Sequence, residues 1–160
     1  MSESAHWTTD LQGRVDELLD DYRDALHGSV DGLTEEEARR RLVPSKTTLL
    51  GLLKHVTYVE GVWFDQAVTG RSYADLGIAD TPDGSFTLME RDTIASVQAA
   101  HRARCAASRA AMCELAMDAR VDGRGDRPVW ALHLQVLREL AQHAGHADIL
   151  REQIMAQRDD

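Results

Sequence analysis

The sequence predicts an all-α protein built as a four-helix bundle. Apolar residues recur at three- and four-residue steps in four separate stretches, and almost nothing alternates with the period of a strand. The length of 160 residues suits one domain, 1–160, with one full core. No internal repeat or low-complexity segment interrupts it.

The first stretch, DLQGRVDELLDDYRDALH, puts Leu11, Val15, Leu18, Leu19, Tyr22 and Leu26 on one stripe, with Thr9 or Asp10 available as cap and a charged face left to solvent. A short helical turn is expected at LTEEEARRRL, where Thr34 and Glu37 have the spacing of a capping box, before Pro44 and Ser45 stop and restart the chain. The second long helix runs from about Ser45 to Ala67 and buries Leu49, Leu52, Leu53, Val56, Val59, Trp63 and Ala67. The segment TGRSYADLGIADTPDGSF is rich in Gly, Asp and Ser and too long for a tight connection, so it reads as a loop that crosses over or covers a site. The third helix spans about Asp92 to Met117, with Ile94, Val97, Cys105, Met112 and Leu115 inward, and VDGRGDRPV ends that region. Pro128 suits the first turn of the fourth helix, which frays after about Gln157.

Charge and cysteine usage narrow the function. The formal net charge is −9 and no cluster of Lys or Arg interleaved with aromatics occurs, so nucleic acid would be repelled. Cys105 and Cys113 stand eight positions apart within one helix, which suits neither a CxxC pair nor an internal bridge, and a reduced cytoplasmic protein is expected. The N-terminus has no basic region followed by an apolar run, and no run of about 18 apolar residues occurs, so neither export nor a membrane span is expected.

The chemistry concentrates in ELAQHAGHADILRE, residues 139–152. On a helical wheel Val129, Leu132, Val136, Leu140, Ala147, Leu150 and Ile154 define the inner arc. His143 lies inside it, and Glu139 and His146 project from its flank. An ionised carboxylate there without a partner would cost several kcal/mol, so something must compensate it. On the second helix, His55 sits beside the apolar stripe, one turn from Leu52 and from Val59. If the second and fourth helices are neighbours, His55 meets Glu139 and His143, and the three can hold one divalent ion with a position left open, as catalytic rather than structural sites do. The blander alternative is that the histidines are hydrogen-bonded packing residues and that Glu139 with His143 is an ordinary i, i+4 pair. A second ambiguity concerns His146: it stands outside the ligand set as a supporting donor or general base, or it ligates together with His143 while Glu139 orients one of them. His6, His27, His101 and His133 are assigned no chemistry; His133 is taken to point away from the arc. Trp63 and Phe64 read as core and Tyr58 as surface. Glu60 and Arg151, both near apolar arcs, read as a pair across the bundle. No Ser-His-Asp set, HExxH or glycine-rich phosphate loop is present, and a di-iron carboxylate site would require Glu-x-x-His motifs that the chain lacks.

Taken together, SKTTLLGLLKHVTYVEGVWF and RELAQHAGHADILREQI resemble the DinB-like superfamily, in particular its actinobacterial branch related to mycothiol-dependent maleylpyruvate isomerase. The resemblance covers nearly the whole chain and implies an up-down-down-up bundle with a long loop between helices two and three, paired as a homodimer. It implies a divalent metal, zinc or nickel, on His55, Glu139 and His143. Many members have His at the position of Glu139, but the isomerase branch has Glu there; HAGH stands where others read HRGQ, so His146 replaces a non-ligating Gln. The implied cofactor is a low-molecular-weight thiol such as mycothiol, deprotonated at the metal and ready to attack a small electrophile. Arg151 then has a second reading, as the anchor for a carboxylate of thiol or substrate. The activity implied is that of a metal- and thiol-dependent S-transferase or isomerase; the isomerase itself carries a further C-terminal domain and this chain stops at Asp160, so the isomerase's own activity is not expected. Against this enzyme stand two non-catalytic classes: a metal-binding stress or detoxification protein, and a dimeric structural bundle.

Overall fold

The computed structural model describes residues 10–158. Helix α1, Leu11–Gly28, opens where the Asp10 carboxylate accepts the Gly13 N–H at 3.0 Å; Thr9, the alternative cap, and His6 lie outside the described residues. Helix α2, Glu35–Ala38, carries the expected capping box: the Thr34 hydroxyl accepts the Glu37 N–H, and the Glu37 carboxylate accepts the Thr34 N–H. The second long helix, α3, starts at Leu49 rather than Ser45, because the Thr48 hydroxyl takes the Gly51 N–H and sets the first turn there. It runs to Gly61, opens into a π turn over Val62–Gln66, and closes as α4, Ala67–Thr69.

The crossover over residues 70–93 is not structureless. It contains α5, Tyr73–Leu76, and a 3₁₀ turn, Gly84–Phe86. Helix α6, Ile94–Met112, ends a turn earlier than expected, leaving Leu115 half-buried beyond it. Two short strands, β1 (Arg120–Val121) and β2 (Arg127–Pro128), then pair antiparallel; two residues are too few to show a period of two in the sequence. Helix α7, Val129–Ala156, completes the bundle.

Side-chain partners give the helix directions. Asp16 lies by His133 and Ser29 by Arg151, so α1 and α7 run the same way. Lys54 bonds Asp92 and Asp65 bonds Arg104, so α3 and α6 are parallel. His55 contacts His143 while Phe64 contacts His133, so α3 opposes α7. The order is up-down-down-up, and the long crossover carries the chain back between its two parallel helices.

All seven residues of the expected arc on α7 are buried. Elsewhere the structure corrects the reading of single residues. Leu11 is 73% exposed, because it sits in the first turn of α1, outside the core that its stripe joins. Tyr58 is buried, packed with Val59 and Val62 under Tyr73 and Ile78 of the crossover. Trp63 is half-buried, its ring set against the guanidinium groups of Arg124 and Arg127. His101 and His133 are both buried; His133 faces Phe64 and sets Nδ1 3.1 Å from the Val129 carbonyl. Both cysteines are free, Cys105 buried and Cys113 exposed.

The largest correction concerns Glu60. It is fully buried, but its partner is Arg23 of α1, not Arg151: Nε donates to Oε1 at 2.7 Å and Nη2 to Oε2 at 3.1 Å. Arg151 instead donates to the Ser29 carbonyl at 2.7 Å. The β1–β2 loop docks on the π turn, where the Gly123 N–H donates to the Ala67 carbonyl at 2.9 Å. A Cβ at Gly123 would stand 2.2 Å from the Gln66 carbonyl oxygen, so the approach requires glycine. Among the described residues no helix is long and apolar enough to cross a membrane.

Candidate metal centre

Antiparallel packing of α3 on α7 brings His55, from the middle of α3, against His143 of α7, with ring centroids 4.7 Å apart and the rings edge to face. Glu139 is one turn before His143 on the same helix, and its Oε2 lies 3.5 Å from His143 Nε2. One ligand atom from each of His55, Glu139 and His143 lies within 4.8 Å of the other two. His146 does not join this group. It is exposed, on the outer side of His143.

Each of the three residues has its second polar atom engaged away from the centre. Ser85 Oγ donates to the Pro82 carbonyl at 2.5 Å, so at 2.7 Å from His55 Nδ1 it acts as acceptor, which puts the His55 proton on Nδ1 and leaves the Nε2 lone pair unprotonated. Phe86 stacks on the same imidazole at 4.0 Å and 13°. His143 Nδ1 meets His146 Nδ1 at 3.3 Å. Glu139 Oε1 accepts from Gln135 at 3.1 Å and from Arg138 at 2.9 Å, leaving Oε2 toward His143.

The electrostatics suit a cation. Burial, reinforced by the neighbouring His143, pushes the His55 pKa down to about 4. Burial also lowers that of His143, although the Glu139 carboxylate opposes the shift. Both imidazoles are therefore neutral at physiological pH, the state in which they ligate metals. Two imidazole nitrogens and a carboxylate oxygen, each with its remaining atom held, are a donor set that fits one divalent ion and leaves a coordination position open.

A family model described as Mycothiol-S-transferase matches residues 14–156. The chain belongs to the mycothiol S-transferase family. No curated protein matches the sequence. The family match spans all four bundle helices, and with them His55, Glu139, His143, His146 and Arg151.

In this mycothiol S-transferase family member, sequence reasoning missed the residues that hold the triad in place. Ser85 and Phe86 come from a 3₁₀ turn inside the crossover, where TPDGSF signals a turn but no partner. Gln135 and Arg138 are ordinary polar residues of α7 until its packing is known. Ser85→Ala should leave the fold intact and lower metal affinity by about 10- to 100-fold, the usual cost of losing a group that orients a ligand. Competition with a chromogenic chelator measures it; unchanged affinity would remove Ser85 from the site.

Proposed function

We propose that the protein is a divalent-metal-dependent S-transferase that joins a low-molecular-weight thiol, mycothiol by family, to small electrophiles. The observation that carries the proposal is the set of three donors, two of them neutral imidazoles, each braced from behind and together leaving one position open. His55, Glu139 and His143 would hold the ion, zinc or nickel. An ion there lowers the pKa of a bound thiol, which is otherwise mostly protonated at neutral pH.

The chain's own residues do the rest. Ser85 and Phe86 keep the His55 ring in one tautomer and one plane. Arg138 and Gln135 hold one oxygen of Glu139 so that the other faces the centre. His146, exposed at the rim with its Nδ1 3.3 Å from His143 Nδ1, is the base of this proposal and takes the thiol proton. Beside it lies a cleft of about 330 Å³ lined by Val43, Ser45, Thr47 and Gln153, wide enough for the body of a small thiol.

The test is elemental analysis of untagged protein reloaded with zinc and desalted, followed by conjugation of mycothiol to a chromogenic electrophile with and without the ion. About one ion per chain and metal-dependent conjugation are expected. Far less than stoichiometric metal would leave the histidines as packing residues.

The same proposal takes the protein as a homodimer in the cytoplasm. Trp130 and Leu134 of α7 are about half exposed and offer apolar surface for a second copy. A light-scattering mass of 17.8 kDa at micromolar concentration would exclude the dimer.

A further inference from the structure

A second cleft, of about 400 Å³, shares Phe86 with the metal centre. Phe86 is the shared wall: it stacks on His55 at 4.0 Å and also lines this cleft, together with Leu88. The rest of the lining is Thr48, Thr87 and three cations, Arg39, Arg41 and Lys46. That concentration is unusual in a chain of net charge −9.

What holds these cations decides the reading. Lys46 is paired with Asp83 at 2.5 Å, so its charge is matched. The two arginines are not matched in that way. Arg39 donates Nη2 to the backbone carbonyls of Met89 and Asp92, and Arg41 donates Nη2 to those of Pro44 and Ser45 at 2.7 and 3.1 Å. Among the described residues neither guanidinium has a carboxylate within 4.0 Å. Carbonyls orient a guanidinium without neutralising it, and each still has N–H groups to donate. The cleft beside His146, by contrast, has no Lys or Arg in its lining.

Resting on the S-transferase reading above, we propose that the electrophilic substrate carries an anionic group, a carboxylate or sulfonate, on an apolar or aromatic body, and binds in this basic cleft. The body lies against Phe86 and Leu88, and Arg39 and Arg41 take the anion. The thiol enters from the side of His146. The electrophilic carbon reaches past the edge of Phe86 to the thiol sulfur, the S–C bond forms as the carbon–halogen bond breaks, the halide departs with the bonding pair, and the thiol proton goes to His146.

Binding to the metal-free protein tests the cleft separately from the chemistry. The probes are 3,5-dinitrobenzoate and neutral 1,3-dinitrobenzene, neither with a leaving group. The anion should bind at least about tenfold more tightly, a difference of about 1.4 kcal/mol, and added salt should erode the preference. Arg41→Gln, at an exposed position, should reduce the preference severalfold, and Arg39→Gln should do the same. Lys46→Gln should change it little.

In zinc-loaded protein, 3,5-dinitrobenzoate should inhibit conjugation of 4-chloro-3,5-dinitrobenzoate competitively with the electrophile and not with the thiol. Equal affinity for the two probes, or an anion preference that survives both arginine substitutions, overturns the proposal. Competition with the thiol instead would reassign the cleft to the thiol and equally overturn it. Loss of metal or of conjugation while the metal-free preference persists would defeat the transferase reading and, with it, the role of the anion as substrate, yet leave an anion site in place.

Discussion

Glu139→Gln is expected to weaken metal affinity by more than about 100-fold, beyond the loss that removing a merely supporting residue causes. His146→Gln should leave stoichiometric metal, with affinity changed by no more than about tenfold, and should instead slow thiol conjugation or alter its pH profile. The ranking follows from position. Glu139 presents Oε2 3.5 Å from His143 Nε2, inside the group of three, whereas His146 touches only the outward Nδ1 of His143. His55→Ala should release the ion altogether, since it removes the one donor that α3 contributes. Equilibrium competition with a chelator on the three variants measures the order. If His146→Gln loses metal while Glu139→Gln keeps it, His146 is the ligand and Glu139 the orienting group.

The second large effect concerns stability. Glu60→Leu should destabilise the fold by about 3 to 5 kcal/mol, because it leaves the Arg23 guanidinium buried without its main counter-charge. Glu60 is fully buried and Arg23 only 4% exposed, and the guanidinium is joined to both carboxylate oxygens. Glu60 holds the Arg23 pKa up against the opposing effect of burial. Asp20, 2.8 Å from Arg23 Nη1, remains and should keep the loss near the lower figure. Restoring consistency should restore stability: Arg23→Met with Glu60→Leu is expected within about 1 kcal/mol of the parent, since well-packed apolar residues commonly replace a buried pair without loss. Urea midpoints of the single and double variants decide it. A single substitution that costs less than about 1 kcal/mol would mean that water reaches the pair and screens it.

Both cases show what the sequence could and could not disclose. The inner arc of α7 was legible because seven apolar residues repeat with one period over a long helix, and no other element overrides them. The triad was legible for a related reason: Glu139 and His143 share a helix face by spacing, and His55 needed only the adjacency of α3 and α7. Ser85 was not, since a residue in a crossover has no periodic neighbours to fix where it lands. The partner of Glu60 was misread because Arg23 sits on the flank of a helix whose outer face is charged, and only packing shows that this flank is covered. Tyr58 was misread for the same reason, its cover being α5 and Ile78 rather than another bundle helix.

The π turn at Val62–Gln66 carries a consequence of another kind. A π turn accommodates one residue more than the α-helical turn it interrupts, and one residue corresponds to about 100° of rotation around the axis. The two halves of this helix are therefore out of phase by design of length, not of composition. The half before the turn aims His55 at α7, and the half after it meets the Gly123 loop, where backbone touches backbone and nothing can slide. A chain shortened by one residue between Val62 and Gln66 would regain a regular helix and lose this offset. One end would then have to swivel, and either His55 would leave Glu139 and His143 or the hairpin would lift off. A deletion in this one turn acts on a centre two helical turns away.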